Sequence, residues 1–244
     1  MTEYALIGYP LVHSFSKQYF TDKFEKDGLD ARYLNMEMES VARLVDTIKA
    51  HPQLKGLNVT IPHKQAVMPL LTSIRDEALA IGAVNCIKIG RNPLSLTGYN
   101  TDVIGFERSI APLLKPWHKQ ALVLGTGGAS KAVVYGLKKL GIEPTLVSRT
   151  PAQGMLGYDA LNKDIMAEHT VIVNCTPLGT YPNVDTCPDI PYKYISSRHL
   201  LYDLVYNPAQ TLFLQKGEAR GATVKNGLEM LHLQAEAGWQ IWNS

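Results

Sequence analysis

The sequence predicts an α/β fold in two domains, each built on a mainly parallel sheet with helical crossovers. Three observations carry that expectation. Short apolar runs alternate with segments of helical period along most of the chain. A polar, proline-marked connector, Lys115-Pro-Trp-His-Lys119, separates two series of such units. The 244 residues are enough for two modest cores.

The elements follow in order. Tyr4 to Gly8 reads as a buried strand, and Tyr19, Phe20 and Phe24 mark a helix that ends near Gly28. Arg32 to Met38 is a second strand; Ser40 caps a helix whose Val41, Leu44, Val45 and Ile48 share one face. Leu54 to Thr60 is a third strand running into Pro62, which suits the first turn of a helix. Arg75 to Gly82 reads as helix, and Ala83 to Ile89 with Ser95 to Tyr99 as a hairpin or edge pair. A helix over Val103 to Leu114 leads to the connector. Beyond it, strands are expected at Gln120 to Leu124, Pro144 to Ser148, Thr170 to Asn174, His199 to Leu204 and Thr223 to Lys225. Helices are expected at Ser130 to Leu140 and Leu228 to Trp242, the last crossing back to the first domain.

Bulk properties exclude several classes of function. A net charge of +2 gives no field that would gather nucleic acid or an acidic membrane, so any basic site is local. Cys86, Cys175 and Cys187 form no C-x-x-C pair, and the seven histidines show no ligand spacing, so no metal is expected. No apolar stretch reaches the roughly 18 residues of a membrane span, and the N-terminus lacks a basic leader, which together read as a cytoplasmic protein.

Gly125-Thr-Gly-Gly-Ala-Ser130 follows a strand and opens a helix, the context in which glycines let a backbone approach a pyrophosphate at a helix N-terminus. It marks the second domain as Rossmann-type. The competing reading is a tight turn that binds nothing. About 23 residues on, where an NAD unit places an acidic residue, stands Ser148-Arg149-Thr150. Arg149 offers a planar fork to a 2′-phosphate and the two hydroxyls add donors, which favours NADP over NAD. A solvated surface arginine is the alternative.

In the first domain Lys64 falls in the first turn of the helix expected at Pro62, where the macrodipole disfavours a cation by roughly 0.3–1 kcal/mol. A lysine held between a positive helix end and a carboxylate can exchange a proton with a substrate oxygen near neutral pH. Asp102, at the close of Gly98-Tyr-Asn-Thr-Asp102, is a candidate for that carboxylate, with a helix N-cap as its plain reading. Asn58, Thr60, Asn85 and Asn100 lie at expected strand ends, where open α/β sheets bind ligands, and form a set suited to several hydroxyls.

Taken in order, these motifs resemble the shikimate dehydrogenase family over nearly the whole chain. The resemblance implies reversible NADP-linked oxidation of shikimate to 3-dehydroshikimate, with NADPH reduction the direction towards aromatic amino acids. Pro10-Leu-Val-His-Ser-Phe-Ser16 is similar to the family's H-S-x-S segment, which makes Ser14 and Ser16 carboxylate contacts; Ser16 also reads as a helix N-cap. Asn58-Val-Thr-Ile-Pro-His-Lys64 brings Thr60 as a substrate contact and Lys64 as the catalytic lysine, Gly82-Ala-Val-Asn85 brings Asn85, and Asn100-Thr-Asp102 brings Asp102 as the partner of Lys64. By the same likeness Gly125, Thr126, Gly127, Gly128, Ala129 and Ser130 hold the pyrophosphate, and Ser148, Arg149 and Thr150 the 2′-phosphate. Thr176 and Pro177 in Asn174-Cys-Thr-Pro-Leu-Gly179 line the nicotinamide side, with Gly227 and Met230 near that ring. Tyr206 and Gln234 reach the substrate.

The implied organisation is a substrate-binding and catalytic domain over residues 1–101, completed by the C-terminal helix at 228–244, and a Rossmann-type NADP-binding domain over 102–227, with a cleft between them. The implied partner is a small molecule, with neither nucleic acid nor membrane, acting on a monomer or homodimer. The rival readings are a quinate/shikimate dehydrogenase using NAD and a dinucleotide-binding regulator without turnover. Lys17 and Thr180 stand where the family usually has proline and methionine, and residues 151–169 are shorter than usual, which predicts a lost helix or a trimmed sheet beside the adenosine pocket.

Overall fold

The computed structural model describes residues 1–11 and 15–244. Their contacts divide the chain into two compact units, residues 1–101 with 235–244, and residues 102–234. The C-terminal segment therefore belongs to the first unit from Ala235 onward. The division falls inside the last helix and not at its start.

In the first unit the order is β1 (Thr2–Gly8), α1 (Phe15–Lys26), β2 (Ala31–Glu37), α2 (Leu44–Ala50), β3 (Leu54–Val59), β4 (Ser73–Ile74), α3 (Asp76–Ile81), β5 (Cys86–Arg91) and β6 (Leu94–Tyr99). The sheet runs β2-β1-β3-β5-β6-β4. β2, β1 and β3 are parallel, β5 runs antiparallel to β3 and forms a hairpin with β6, and the short β4 lies parallel to β6. Side chains that alternate along β1 feed two cores. Ala5 and Ile7 join Leu44, Ile48, Leu57 and Val59 on the α2 face. Tyr4 and Leu6 join Phe20, Phe24, Tyr33, Cys86, Ala235 and Trp242 on the other.

Trp242 closes that second face. Its indole stacks on Tyr4 with ring centroids 5.0 Å apart and donates from Nε1 to the Ile87 carbonyl at 3.1 Å, so it meets both β1 and β5. The last turn of the chain is thus part of the core that carries the strand ends.

The second unit contains α4 (Asp102–Ile110), β7 (Gln120–Leu124), α5 (Gly128–Lys139), β8 (Glu143–Ser148), β9 (Leu156–Gly157), α6 (Lys163–Glu168), β10 (Val171–Asn174), β11 (Leu200–Asp203), α7 (Leu212–Glu218), β12 (Thr223–Lys225) and the first turns of α8 (Leu228–Trp242). All six strands are parallel in the order β12-β11-β10-β7-β8-β9. Counted along the chain from β7, that is the 3-2-1-4-5-6 arrangement of a Rossmann sheet, whose switch point lies between β7 and β10. Phe106 of α4, Val133 and Leu137 of α5 and Met230 of α8 cover one face; Met166 of α6 and Phe213 and Leu214 of α7 cover the other.

Three expectations change. No α-helix begins at Pro62: residues 61–67 are consecutive turns, followed by a 3-10 turn at Met68–Leu70. One i to i+4 bond is made, from the Val67 amide to the His63 carbonyl at 3.0 Å, but the Lys64 carbonyl accepts from the Val84 amide at 2.7 Å and the Met68 amide pairs with Gln65, so the ladder does not continue. The helix-dipole argument for Lys64 falls with it. Between residues 151 and 169 a helix persists as the six-residue α6, capped by Asn162, while the neighbouring strand β9 has two residues. The helix α7, not anticipated, begins where Thr211 caps the Leu214 amide.

Replacing Trp242 with alanine should cost about 3–5 kcal/mol, the usual range for emptying a large buried aromatic site. A denaturant titration of the variant against the wild type reads that loss. A cost below about 1 kcal/mol would mean that Trp242 does not seal the first core.

Candidate active site

The first unit presents its polar residues where β1, β3 and the β5–β6 hairpin end. Asn85 and Thr101 close on each other: the Thr101 amide donates to Asn85 Oδ1 at 2.6 Å, and Asn85 Nδ2 donates to Thr101 Oγ1 at 3.0 Å. Both residues are buried. The Asn85 main chain accepts from Val59 and donates to Tyr99, so one residue ties β3, β5 and the exit of β6 together. Asn100 Nδ2 donates to the Ala83 carbonyl at 2.9 Å. Asp102, the next residue but one, is buried as the first residue of α4, so Thr101 occupies the cap position that Asp102 could have taken. An acidic residue in a first helical turn is favoured by the dipole.

Lys64 is half-buried on its run of turns, and that run is tethered at several points. The Thr60 amide donates to Ile7, the His63 amide to Thr60, and the Val84 amide to Lys64. The buried His63 ring reaches the Met38 carbonyl at 2.6 Å through Nε2, which must carry the proton to make this bond. Val67 then buries itself in the α2-side core. Asn58 is committed inwards: its Oδ1 accepts from the Tyr33 hydroxyl at 2.6 Å and its Nδ2 points to the Asn85 carbonyl at 3.5 Å. Ser16 is the second residue of α1, not its cap. Ser14 lies outside the described residues.

The second unit supplies a cradle at its switch point. Gly125 adopts φ +101°, a backbone that favours glycine, and a Cβ there would come within 3.0 Å of Thr176 in the loop after β10. Gly127, the cap of α5, is exposed, and a Cβ would meet nothing within 4 Å. Thr126 is exposed beside it, Gly128 and Ala129 open the helix, and Ser130 turns inward, donating to the Gly127 carbonyl at 2.6 Å. The Ser130 proton therefore shapes the loop. Next along the sheet, Arg149 is exposed with no hydrogen bond or ion pair to a described residue, beside Tyr158. Ser148 Oγ accepts from the Thr150 amide and keeps its own proton to donate. This exposed backbone and free guanidinium fit a dinucleotide carrying an extra phosphate.

Asn174 and Asp203, at the ends of β10 and β11, organise the remaining loops. Asp203 is fully buried, and its carboxylate accepts from Thr211 Oγ1 at 2.5 Å, the Val205 amide at 3.0 Å and Asn174 Nδ2 at 2.9 Å. Burial pushes its pKa up to about 6, and those three donors pull only part of the way back. Asn174 Oδ1 in turn accepts from both the amide and the hydroxyl of Thr176, which leaves Pro177 exposed at the loop tip. Tyr206 is exposed directly after Val205, whose carbonyl accepts from the buried Gly227 amide. Met230 is buried in the core beside Phe106, so its side chain serves packing. Its carbonyl lies against Gly105 of α4, where a Cβ would come within 2.4 Å of it and 3.2 Å of Gln234. That close approach sets Gln234 against the helix that Asp102 opens.

Sequence reasoning missed Tyr33, His63, Thr101, Asn174, Asp203 and Thr211 as organisers. The legible signal was a polar side chain at the end of an apolar strand, which cannot be buried without partners. Among the described residues no cluster of His, Cys, Asp and Glu could hold a metal ion, and no helix is long and apolar enough to cross a membrane.

Because the folded Asp203 holds its proton more tightly than an unfolded aspartate, its protonated form contributes stability in full below about pH 4. That contribution is lost as the pH rises through about 6. Denaturation midpoints for the wild type should therefore carry a fall between those values, and Asp203→Asn should lack it. Identical slopes in both proteins would remove Asp203 as the source.

Comparison with known proteins places this architecture. Residues 6–87 match the family model for the shikimate dehydrogenase substrate binding domain. The chain is 35% identical over 254 residues to the shikimate dehydrogenase (NADP(+)) of Carboxydothermus hydrogenoformans, covering 97% of this chain and 90% of that protein. The crystal structure of shikimate dehydrogenase from Aquifex aeolicus superposes with a TM-score of 0.87 at 35% identity, over 100% of this chain and 92% of the other. That of the Thermus thermophilus enzyme in complex with NADP(H) and shikimate gives 0.87 at 30% identity, over 99% and 93%. By full-length likeness in sequence and fold, the chain belongs to the shikimate dehydrogenase family.

Proposed function

We propose that this chain is an NADP-dependent shikimate dehydrogenase, catalysing the reversible reduction of 3-dehydroshikimate to shikimate on the route to aromatic amino acids. The observation that carries the reading is the 35% identity to an NADP(+)-linked shikimate dehydrogenase across 97% of the chain. Local geometry supports it: the tethered turn under Lys64, the Asn85–Thr101 clasp before Asp102 and the open glycine cradle occupy strand ends, where such sheets bind ligands.

In this reading Ser14 and Ser16 take the substrate carboxylate, and Thr60, Asn85, Asp102 and Gln234 read its hydroxyls, with Tyr206 beside it. Asn58 and Asn100, both hydrogen-bonded inwards, hold the strand ends that present the others. Gly125 to Ser130 take the pyrophosphate, Ser148, Arg149 and Thr150 the 2′-phosphate, and Thr176, Pro177 and Gly227 the nicotinamide side, with Met230 packed behind. When bound, NADPH supplies the hydride. Lys64 delivers the proton that neutralises the developing alkoxide, and its ammonium stabilises that charge before the transfer. Asp102 acts on the same oxygen as the partner of Lys64. The protein works as a monomer or homodimer in the cytoplasm, where its three free thiols stay reduced.

Lys64→Ala should lower turnover by roughly 10²–10⁴-fold, the span of general acid–base catalysis, while leaving NADP affinity nearly unchanged. Nicotinamide absorbance and a fluorescence titration read the two quantities, and a fully active variant would end the assignment. Arg149→Ala should weaken NADP binding by roughly 10–100-fold, the worth of hydrogen bonds to a charged group, and leave NAD binding alone. Equal losses for both cofactors would separate Arg149 from the phosphate.

A further inference from the structure

Asn174 closes β10 and is fully buried, so it cannot itself touch a ligand. Its amide uses every donor and acceptor that it has. Nδ2 donates to Asp203 Oδ1 at 2.9 Å and to the Leu178 carbonyl at 3.4 Å, while Oδ1 accepts from the Thr176 amide at 3.0 Å and the Thr176 hydroxyl at 2.6 Å. An ionised Asp203 can only accept, so the nitrogen of Asn174 has to face it and the oxygen has to face Thr176. The single proton of the Thr176 hydroxyl therefore points inwards, and the same oxygen accepts from the Leu178 amide at 3.3 Å. The segment from Asn174 to Leu178 is wound around one buried amide. It also lies against the glycine cradle: a Cβ on Gly125 would come within 3.0 Å of the Thr176 methyl group and 3.4 Å of the Cys175 carbonyl. The rotamer of Thr176, which Asn174 selects, thus decides which group packs on the residue that opens the cradle.

We infer that Asn174 is a positioning residue for the cofactor: oriented by Asp203, it holds the Thr176 loop and the glycine turn beside it in the form that receives the pyrophosphate and the nicotinamide. The inference rests on the reading of these two loops as the cofactor site. The bonds of Asn174 lie beneath the loop and are kept when a ligand binds above it, so the free protein already has the bound form. Without them the loop has no inner partner, and the cofactor must order it on binding. The loss therefore falls on affinity. Once the cofactor is in place the loop is held from outside, and turnover at saturation changes little.

The test is a fluorescence titration of wild type, Asn174→Ala, Thr176→Val and the double variant with NADP. Adenosine 2′-phosphate, which carries neither pyrophosphate nor nicotinamide, is the control ligand. Asn174→Ala should weaken NADP by about 10-fold, the net worth of ordinary hydrogen bonds, and leave adenosine 2′-phosphate within about 2-fold, because that ligand does not meet the loop. Its kcat at saturating NADP should stay within about 3-fold of wild type. Thr176→Val removes the same bond from the loop side and should also weaken NADP. The double variant should be no more than about 2-fold worse than Asn174→Ala, since the two residues act as one. A residue that serves only the fold would weaken both ligands alike. Unchanged NADP affinity in Asn174→Ala, equal losses for the two ligands, or additive effects in the double variant overturns the inference. If Asn174→Ala does not fold, Thr176→Val decides, and unaltered NADP affinity in that variant overturns it. A wild type that binds no NADP ends the reading of the cofactor site itself, whereas a wild type that binds it leaves that reading standing whatever the variants do.

Discussion

The constraint on which both units depend is that their sheets end in buried polar side chains, and each of these must find a partner away from water. In the first unit the Asn85 amide meets that requirement by closing on Thr101 through its oxygen and its nitrogen. The same residue also joins β3 to the exit of β6 through its main chain, so Thr101 is held by the sheet of its own unit. The asparagine supplies an acceptor and a donor from one planar group, so both sides of the clasp are satisfied without burying a charge.

The second unit answers the same constraint with a charge. Asp203 has no donor of its own, so three must converge on it, and each comes from a different part of the chain: the end of β10, the residue before Tyr206, and the cap of α7. Thr211 serves twice, donating to Asp203 and accepting from the first turn of α7. Two loops after β10 and β11 of the Rossmann sheet are thereby ordered from within, which leaves Pro177 and Tyr206 exposed on backbones that are held underneath. Preorganised loops of this kind reduce the entropy that ligand binding must otherwise remove.

Most of the fold was legible because the apolar period is strong where strands are buried on both faces. β7, β10 and β11 read as continuous apolar runs, and α8 was bounded at Leu228 and Trp242 as found. Prediction failed where a tertiary bond overrode a local preference. Pro62 is a good first residue for a helix, yet the Lys64 carbonyl is claimed by Val84, far along the chain, and no local pattern announces that. α7 was missed for the opposite reason: Leu212, Phe213 and Leu214 stand in succession and hide a helical period, although two of them are buried. The candidate residues were chosen as polar types at strand ends. Which of them are tied inwards was not legible, because the partners of Asn58, Asn100 and Ser130 are supplied only by folding.

The turns under Lys64 show what that distinction means for function. A helix would have fixed the lysine by local hydrogen bonds and set it against an unfavourable dipole. Here the backbone is fixed instead by bonds to β1, to the end of β2 and to the residue before Asn85, so the position of Lys64 is determined by the same strand ends that carry Thr60 and Asn85. A displacement of any one of those strands moves Lys64, Thr60 and Asn85 together. The relative placement of Lys64, Thr60 and Asn85 within the first unit is therefore a property of its sheet, set before any ligand arrives.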